Sequence, residues 1–421
     1  MAEIAPLRAL RYADQSEPLG DLLCPPYDVT SDAERDRLYV LSPHNFVRVE
    51  HPKPGGDPYA RAAADLATWR QRGVMKQDPS PAVYVHDHEF VVAKTRVRRR
   101  GIHCALRLHA LEEGVVMPHE MTFPKAKADR LALLRATAAN LESILLLAPD
   151  PDRVLAKALV KRATGAPAAR AELDGVGIRL WVVTGDEAAQ LARLAGRAQL
   201  YIADGHHRYE TAVAYAREHP SADRVLSFIV SAGDAGLTIL PTHRIIFGAG
   251  RDATRLVTAW RDWFDVGRVA PCMDRIERLA ELGRERTACI VAFPGDYDVS
   301  LVLKRDAALD NIPGLGNTPA VRALDVARVE TLVVQRILGA GTATPSLAYT
   351  PDARAAFDAV RSGRAAAAVL LNPTKVEEVF AVADAGDVMP PKSTYFVPKV
   401  PSGLVVRRAE GDATERKRDG R

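Results

Sequence analysis

The stretch Leu200-Tyr201-Ile202-Ala203-Asp204, Gly205, His206-His207-Arg208 and then Tyr209 to His219 narrows most what this chain can become. The first five residues predict an apolar strand, and the pattern YETAVAYAREH predicts a helix that begins immediately after GHHR. Between them Gly205 permits a turn that a residue with a β-carbon enters only at a cost. A strand, a sharp turn and a helix start therefore meet at one point. The exposed amides of a first helical turn, together with the helix dipole, favour an anion there. Arg208 has the planar fork for bidentate phosphate contact, while His206 and His207 can donate hydrogen bonds or, near a reference pKa of ~6.5, carry protons.

A plainer arrangement is open to the same residues: Asp204 caps the helix, one histidine packs inward, and Arg208 pairs with a glutamate at the surface. Three consecutive anion-seeking side chains after a glycine favour the functional reading, with Asp204, Gly205, His206, His207 and Arg208 as a phosphate cradle. On that reading, removing Arg208 is expected to cost activity far more than folding.

Around this point the sequence predicts an α+β chain. Its 421 residues are too many for one core. Residues 1–50 read as short extended pieces, LRALRY, LLCPPYDV and FVRVEH, around a helix SDAERDRLYVL capped by Ser31; Asp57 to Arg72 reads as a helix stopped at Gly73. AVYVHDHEFVVA and IHCALRLHAL alternate as strands do and are joined by a basic turn, TRVRRRG. RLALLRATAANLESIL predicts a long helix, and 151–200 reads as helix, strand, helix. VLSFIVSA and LTILPTHRIIF read as adjacent strands that complete a first domain, 1–250, with the boundary at Gly248-Ala249-Gly250. Alternating helices and strands make a mixed α/β C-terminal domain, 251–408. The end, 409–421, has almost no apolar content and is expected to be a disordered tail.

Charge and cysteines restrict the partners. A formal charge of +4, partly carried by the last residues, implies no broad nucleic-acid surface, so any anion site is local. Cys24, Cys104, Cys272 and Cys289 form no CxxC pair, which fits reduced thiols in a cytoplasm better than a zinc knuckle or a disulfide framework. No window reaches the ~18 apolar residues of a membrane span, and the N-terminus has no export signal.

Three further constellations stand out. Pro118-His119-Glu120-Met121-Thr122, followed by Lys125, Lys127, Asp129 and Arg130, offers His119 with Glu120 as an acid/base or metal-binding pair and lysines to neutralise a phosphoryl group. Phe123 stands where HExxH needs its second histidine, so this is no zinc protease. The same segment also reads as a helix cap with solvated lysines. Cys24-Pro25-Pro26-Tyr27-Asp28-Val29 is a rigid turn that presents the Asp28 carboxylate at low entropic cost, or an ordinary turn before a helix. Thr242-His243-Arg244 and Lys392-Ser393-Thr394-Tyr395-Phe396 with Pro398-Lys399 are weaker, partly basic patches. No P-loop, GxGxxG after a strand, or GxSxG elbow is present.

CPPYDV, PHEMTFPKAKADR, YIADGHHRYETA, ILPTHRI and MPPKSTYFVPKVPSGLVV occur in an order that resembles the bacterial and archaeal family catalogued as domain of unknown function 1015, over residues 5–408. The DGHHR segment resembles the corresponding motif of the ParB and sulfiredoxin superfamily, which includes CTP-binding partition proteins, sulfiredoxins and free-serine kinases. The resemblance implies a ParB/sulfiredoxin-like nucleotide-binding core in which Gly205, His206, His207 and Arg208 hold phosphates. His119, Thr122, Lys125 and Lys127 join them as nucleotide-binding candidates. It also implies an acidic base near the N-terminus, for which Asp28 and Glu120 are the candidates here, each also a candidate metal ligand. Met121 departs from the family, where a basic residue is common after the His-Glu pair. No cysteine stands in the turn, so sulfinic-acid reduction is not expected. The expected function is a kinase that uses ATP or another nucleotide with Mg²⁺ to phosphorylate a small hydroxyl compound such as free L-serine. The alternative is a CTP- or ATP-binding switch without acceptor kinase activity. A role on DNA is disfavoured by the near-neutral charge and the lack of a helix-turn-helix pattern.

Overall fold

The computed structural model describes the chain except for residues 14–16, 249–252, 271–273, 296, 311, 340–345 and 411–421. Ala249 and Gly250, Cys272, and the expected tail from residue 411 onward lie outside the described residues. The chain forms two compact units: Met1–Pro118, Thr122–Thr238 and Pro398–Arg421 make the first, and His119–Met121 with Ile239–Val397 make the second.

The first unit is built on a nine-stranded mixed sheet. Its strands are β1 (Ile4–Ala5), β2 (Ala82–Val92), β3 (Thr95–Arg107), β4 (Val116–Met117), β5 (Ile144–Ala148), β6 (Ala169–Leu173), β7 (Val176–Thr184), β8 (Leu200–Asp204) and β9 (Arg224–Ser231). The order is β4-β8-β5-β9-β3-β2-β7-β6, with β1 also on β3. The β9–β5 and β8–β4 pairs are parallel and the others antiparallel. β5 and β9 are buried along their whole length, as their near-continuous apolar runs require of central strands covered on both faces. Val85, Ile102, Ile144, Leu146 and Ile229 pack with Leu155 and Leu191 from helices over the sheet.

Helices of this unit include α1 (Asp32–Leu41), α2 (Val47–Glu50), α3 (Pro58–Gln71), α4 (Pro124–Thr137), α5 (Val154–Arg162), α6 (Gly185–Ala195) and α7 (His206–Glu218). The predicted cap of α1 forms, Ser31 accepting from the Glu34 amide, and Asp57 caps α3 by accepting from the amides of Tyr59 and Ala60. Four local expectations are corrected. FVRVEH is not extended, because the buried Asn45 side chain accepts from the Val47 amide and starts α2. TRVRRRG is not a turn. The hairpin reverses at Ala93 and Lys94, both at positive φ, and the arginines lie in β3, where Arg96, Arg98 and Arg100 pair across strands with Glu89 and Asp87. The long helix predicted over RLALLRATAANLESIL starts earlier, at Pro124, and ends at Thr137, because Ala138 takes a left-handed conformation; Asn140 then accepts from the Leu226 amide. Finally, α7 takes His206-His207-Arg208 as its first turn instead of beginning after them.

The second unit holds a six-stranded antiparallel sheet of β10 (His243–Phe247), β11 (Phe264–Val269), β12 (Ala288–Phe293), β13 (Tyr297–Leu303), β14 (Ser346–Thr350) and β15 (Ala367–Leu371), in the order β11-β13-β12-β15-β10-β14. Ala356, Ala359 and Val360 of the helix Ala353–Arg361 pack on Ile245, Ala292 and Ala368. The whole is mixed α/β. Cys24, Cys104 and Cys289 are buried free thiols, and no described helix is long and apolar enough to cross a membrane.

Candidate functional site

The turn between β8 and α7 is shaped by two backbone irregularities. Tyr201 pairs with Leu147 and Ile202 with Leu146, but the next partner of Leu145 is Asp204, so Ala203 is an extra residue that re-aims the end of the strand. Gly205 follows at φ +98°, and a β-carbon there would lie 3.1 Å from the Arg208 guanidinium. Gly205 is also the cap residue of α7 and brings no side chain to it.

Asp204 is held by two cations. Arg208 Nη2 donates to Oδ2 at 2.5 Å, and Lys399 Nζ donates to Oδ1. Burial alone would raise the proton affinity of this carboxyl, but Lys399, Arg208 and His206 hold it well below the usual carboxylate range. Lys399 arrives on the returning segment 398–409, anchored where Ser402 pairs with Cys24 and Arg407 with Asn140. Arg208 also donates from Nη1 to the Ser143 carbonyl at 2.6 Å, and the same nitrogen lies 2.9 Å from Glu142 Oε2. Burial opposes the charge on Arg208, but Glu142, Asp204, Asp28 and Tyr27 fix it.

Asp28 completes the group. It sits in the turn after Pro25-Pro26, closed by a Thr30 hydroxyl that donates to the Pro26 carbonyl at 2.8 Å. The residue is exposed to solvent. Partial loss of hydration, then the charge of Asp204, raises its proton affinity, while Lys399 and Arg208 pull it down. The plainer sequence alternative for Asp204 and Arg208 is not what forms: Asp204 is spent on cations instead of capping the helix, and Arg208 is buried.

The structure thus gathers Asp28, Asp204, Gly205, His206 and Arg208. His206 is buried beside Asp204. His207 stacks on Phe123, with centroids 5.9 Å apart, and its Nε2 accepts from the Phe123 amide at 2.9 Å, so that nitrogen is unprotonated. Thr122 and Lys127 both bind the Glu210 carboxylate, each at 2.8 Å, and tie the start of α4 to α7. Lys125 is exposed.

His119 and Glu120 belong to the second unit. His119 is fully buried, its Nε2 lies 3.1 Å from Thr394 Oγ1, and the Thr394 hydroxyl donates to Glu120 at 3.4 Å. The PHEM and KSTYF segments therefore meet. Lys399 and Glu142 are the residues that the sequence did not single out for a role. Lys399 lay in a basic patch too weak to choose, and Glu142 lay inside a predicted helix. Among the described residues no group of three or more His, Cys, Asp or Glu side chains is placed to hold a metal ion. A magnesium ion asks less of a protein, taking one or two carboxylates along with waters and substrate phosphates, and Asp28 is such a carboxylate.

Comparison with solved structures finds remote likenesses only. A conserved hypothetical protein from Pyrococcus furiosus aligns over 72% of this chain and 93% of its own, at 13% identity and a TM-score of 0.36. A free serine kinase in complex with AMP aligns over 72% and 92%, at 14% and 0.37. SbnI with a C-terminal truncation, from Staphylococcus aureus, aligns over 72% and 90%, at 13% and 0.39. No curated protein matches the chain. The family model is more decisive, for it matches residues 4–327, and the chain accordingly belongs to the family described as protein of unknown function DUF1015.

Proposed function

We propose that this chain is a nucleotide-dependent phosphotransferase that phosphorylates the hydroxyl of a small molecule such as free L-serine. The observation that carries the reading is Asp28, a solvent-reachable carboxylate fixed by a proline turn, with raised proton affinity, within the field of Lys399 and Arg208 at the start of α7. A general base works best when it holds protons more tightly than an ordinary carboxylate, and phosphoryl transfer needs cations and oriented amides near the developing charge.

The donors present fit ATP or another nucleotide with Mg²⁺, which would supply the phosphoryl group and part of the charge neutralisation. Asp28 would take the proton of the acceptor hydroxyl or hold the metal, and Glu120 with His119 is the alternative pair for those tasks. Lys399, Arg208, His206, His207 and the first turn of α7 would meet phosphate oxygens, with Lys125, Lys127 and Thr122 as further candidates. A ParB/sulfiredoxin-like character of the first unit is part of the same proposal, as is a cytoplasmic setting; the expected boundary at 250 moves to Thr238, because His243–Phe247 pairs in the second unit's sheet and the chain from Pro398 returns to the first.

One observation favours a second reading. Lys399 and Arg208 already share Asp204, so an incoming phosphate competes with a carboxylate, and that exchange would suit a nucleotide-driven switch. The test is to incubate the protein and its Asp28→Asn variant with ATP, ADP or CTP, Mg²⁺ and a pool of small alcohols including L-serine, and to follow phosphorylated products by mass spectrometry. Transfer that is lost in the variant supports the kinase. Nucleotide binding without transfer to any acceptor supports the switch, and no binding overturns both.

A further inference from the structure

Beneath the site lies a residue that neither the motifs nor the proposed chemistry employs. Glu142 Oε1 accepts from the Tyr27 amide at 3.1 Å and from the Ser402 hydroxyl at 3.2 Å. Its other oxygen, Oε2, lies 2.9 Å from Arg208 Nη1. One buried carboxyl thus touches the turn that carries Asp28, the returning segment that carries Lys399, and the guanidinium of α7.

A second carboxyl stands against it. Glu50, at the end of α2, is 2% exposed and lies within the field of Glu142. Burial, then the charge of Glu142, raises the proton affinity of Glu50. Arg130 donates to Glu50 Oε1 at 2.8 Å and lies over the Tyr27 ring, 3.9 Å from its centroid, so the same group braces the turn a second time.

We infer that Glu142 is a positioning residue of the site, holding the Asp28 turn through the Tyr27 amide and the Arg208 guanidinium through its charge. The inference deepens the kinase reading and rests on it for the effect on turnover. Its geometric half is independent of any reaction. Two variants separate the roles. Glu142→Gln keeps an oxygen for Tyr27 and Ser402 and removes the charge, whereas Glu142→Leu keeps the bulk and removes both.

Hydrogen exchange read by mass spectrometry reports the turn directly. In Glu142→Leu the peptide over residues 24–30 is expected to exchange about tenfold faster or more, while a peptide over 225–230 in β9 is unchanged. In Glu142→Gln that peptide stays protected, and kcat for phosphoryl transfer falls about tenfold with the nucleotide KM within about threefold. Unchanged exchange over 24–30 in the leucine variant overturns the positioning role, whatever the reaction. Wild-type kcat in the glutamine variant overturns the part assigned to charge. Faster exchange in a protein whose wild type transfers no phosphoryl group supports the positioning role and overturns the kinase reading alone.

Discussion

Asp28 and Asp204 are two carboxylates of one site whose proton affinities are driven in opposite directions. Loss of hydration, then the charge of Asp204, raises that of Asp28, while Lys399 and Arg208, bonded to Asp204, drive its own far down. Environments that push two like groups apart are how a protein separates a permanently ionised carboxylate from one able to exchange a proton.

Replacing Asp204 with Asn should therefore move the Asp28 titration to lower pH. Carboxyl carbon NMR of the two proteins across the acidic range checks the direction. The sign for stability follows from linkage: a carboxyl whose folded affinity is raised binds more protons folded than unfolded, so stability falls as pH rises through that window. Asp28→Asn should remove this loss, and its unfolding midpoint at neutral pH should equal or exceed that of wild type. A lower midpoint would show that the ionised Asp28 is a net stabilising group.

Arg208→Ala should cost folding as well as activity, and more folding than the motif alone leads one to expect. Its guanidinium is 12% exposed and neutralises two carboxylates that are themselves 3% and 17% exposed. Removing one partner of a buried ion pair costs about 3–5 kcal/mol. Chemical denaturation of the variant reads this directly, and a cost under about 1 kcal/mol would show that water replaces the guanidinium easily.

At Gly205 the left-handed φ and the approach of Arg208 both resist a side chain. Gly205→Ala should cost roughly 1–2 kcal/mol from the backbone alone. It should also displace Arg208 and weaken nucleotide binding. A variant with wild-type stability and affinity would mean that the turn relaxes freely.

A row of three buried histidines sets an acid limit. His86 Nδ1 lies 2.9 Å from His103 Nε2, His103 Nδ1 lies 2.8 Å from Ser143 Oγ, and the His86 and His88 rings are 4.0 Å apart. Burial pushes His103 down to about 3 and the other two well below the usual imidazole value. Above the unfolded value of ~6.5 both states are neutral and nothing is at stake; below it the unfolded chain takes up protons that the folded chain refuses. Each ring then costs about 1.4 kcal/mol per pH unit, so unfolding free energies at pH 7 and pH 5 should differ by several kcal/mol, and by less in His103→Asn. Equal slopes in the two proteins would show that His103 protonates while folded.

Local signals were legible where the physics is local. Ser31 and Asp57 announce helix starts because each side chain serves amides two or three residues on, and LYIAD-Gly-HHR announces a strand, a left-handed turn and a helix for the same reason. What could not be read depends on remote partners. TRVRRRG becomes strand because Glu89 and Asp87 face its arginines, and RLALLRATAANLESIL ends early because Asn140 is needed by β9. Glu142 and Lys399 gain their meaning only from Tyr27, Arg208 and Asp204, and no window of sequence contains those pairs.

The separation of Asp204 from Lys399 along the chain has a temporal meaning during synthesis. A ribosome has made Asp204 195 residues before the lysine that offsets it exists. Until residue 399 clears the exit tunnel, the strand end carries a carboxylate that lacks this counter-charge, and the Asp28 turn lacks the Ser402 pairing that anchors it. The assembled geometry of this site is thus acquired late, by closure of the chain upon itself, once the segment that carries Lys399 and Ser402 has docked.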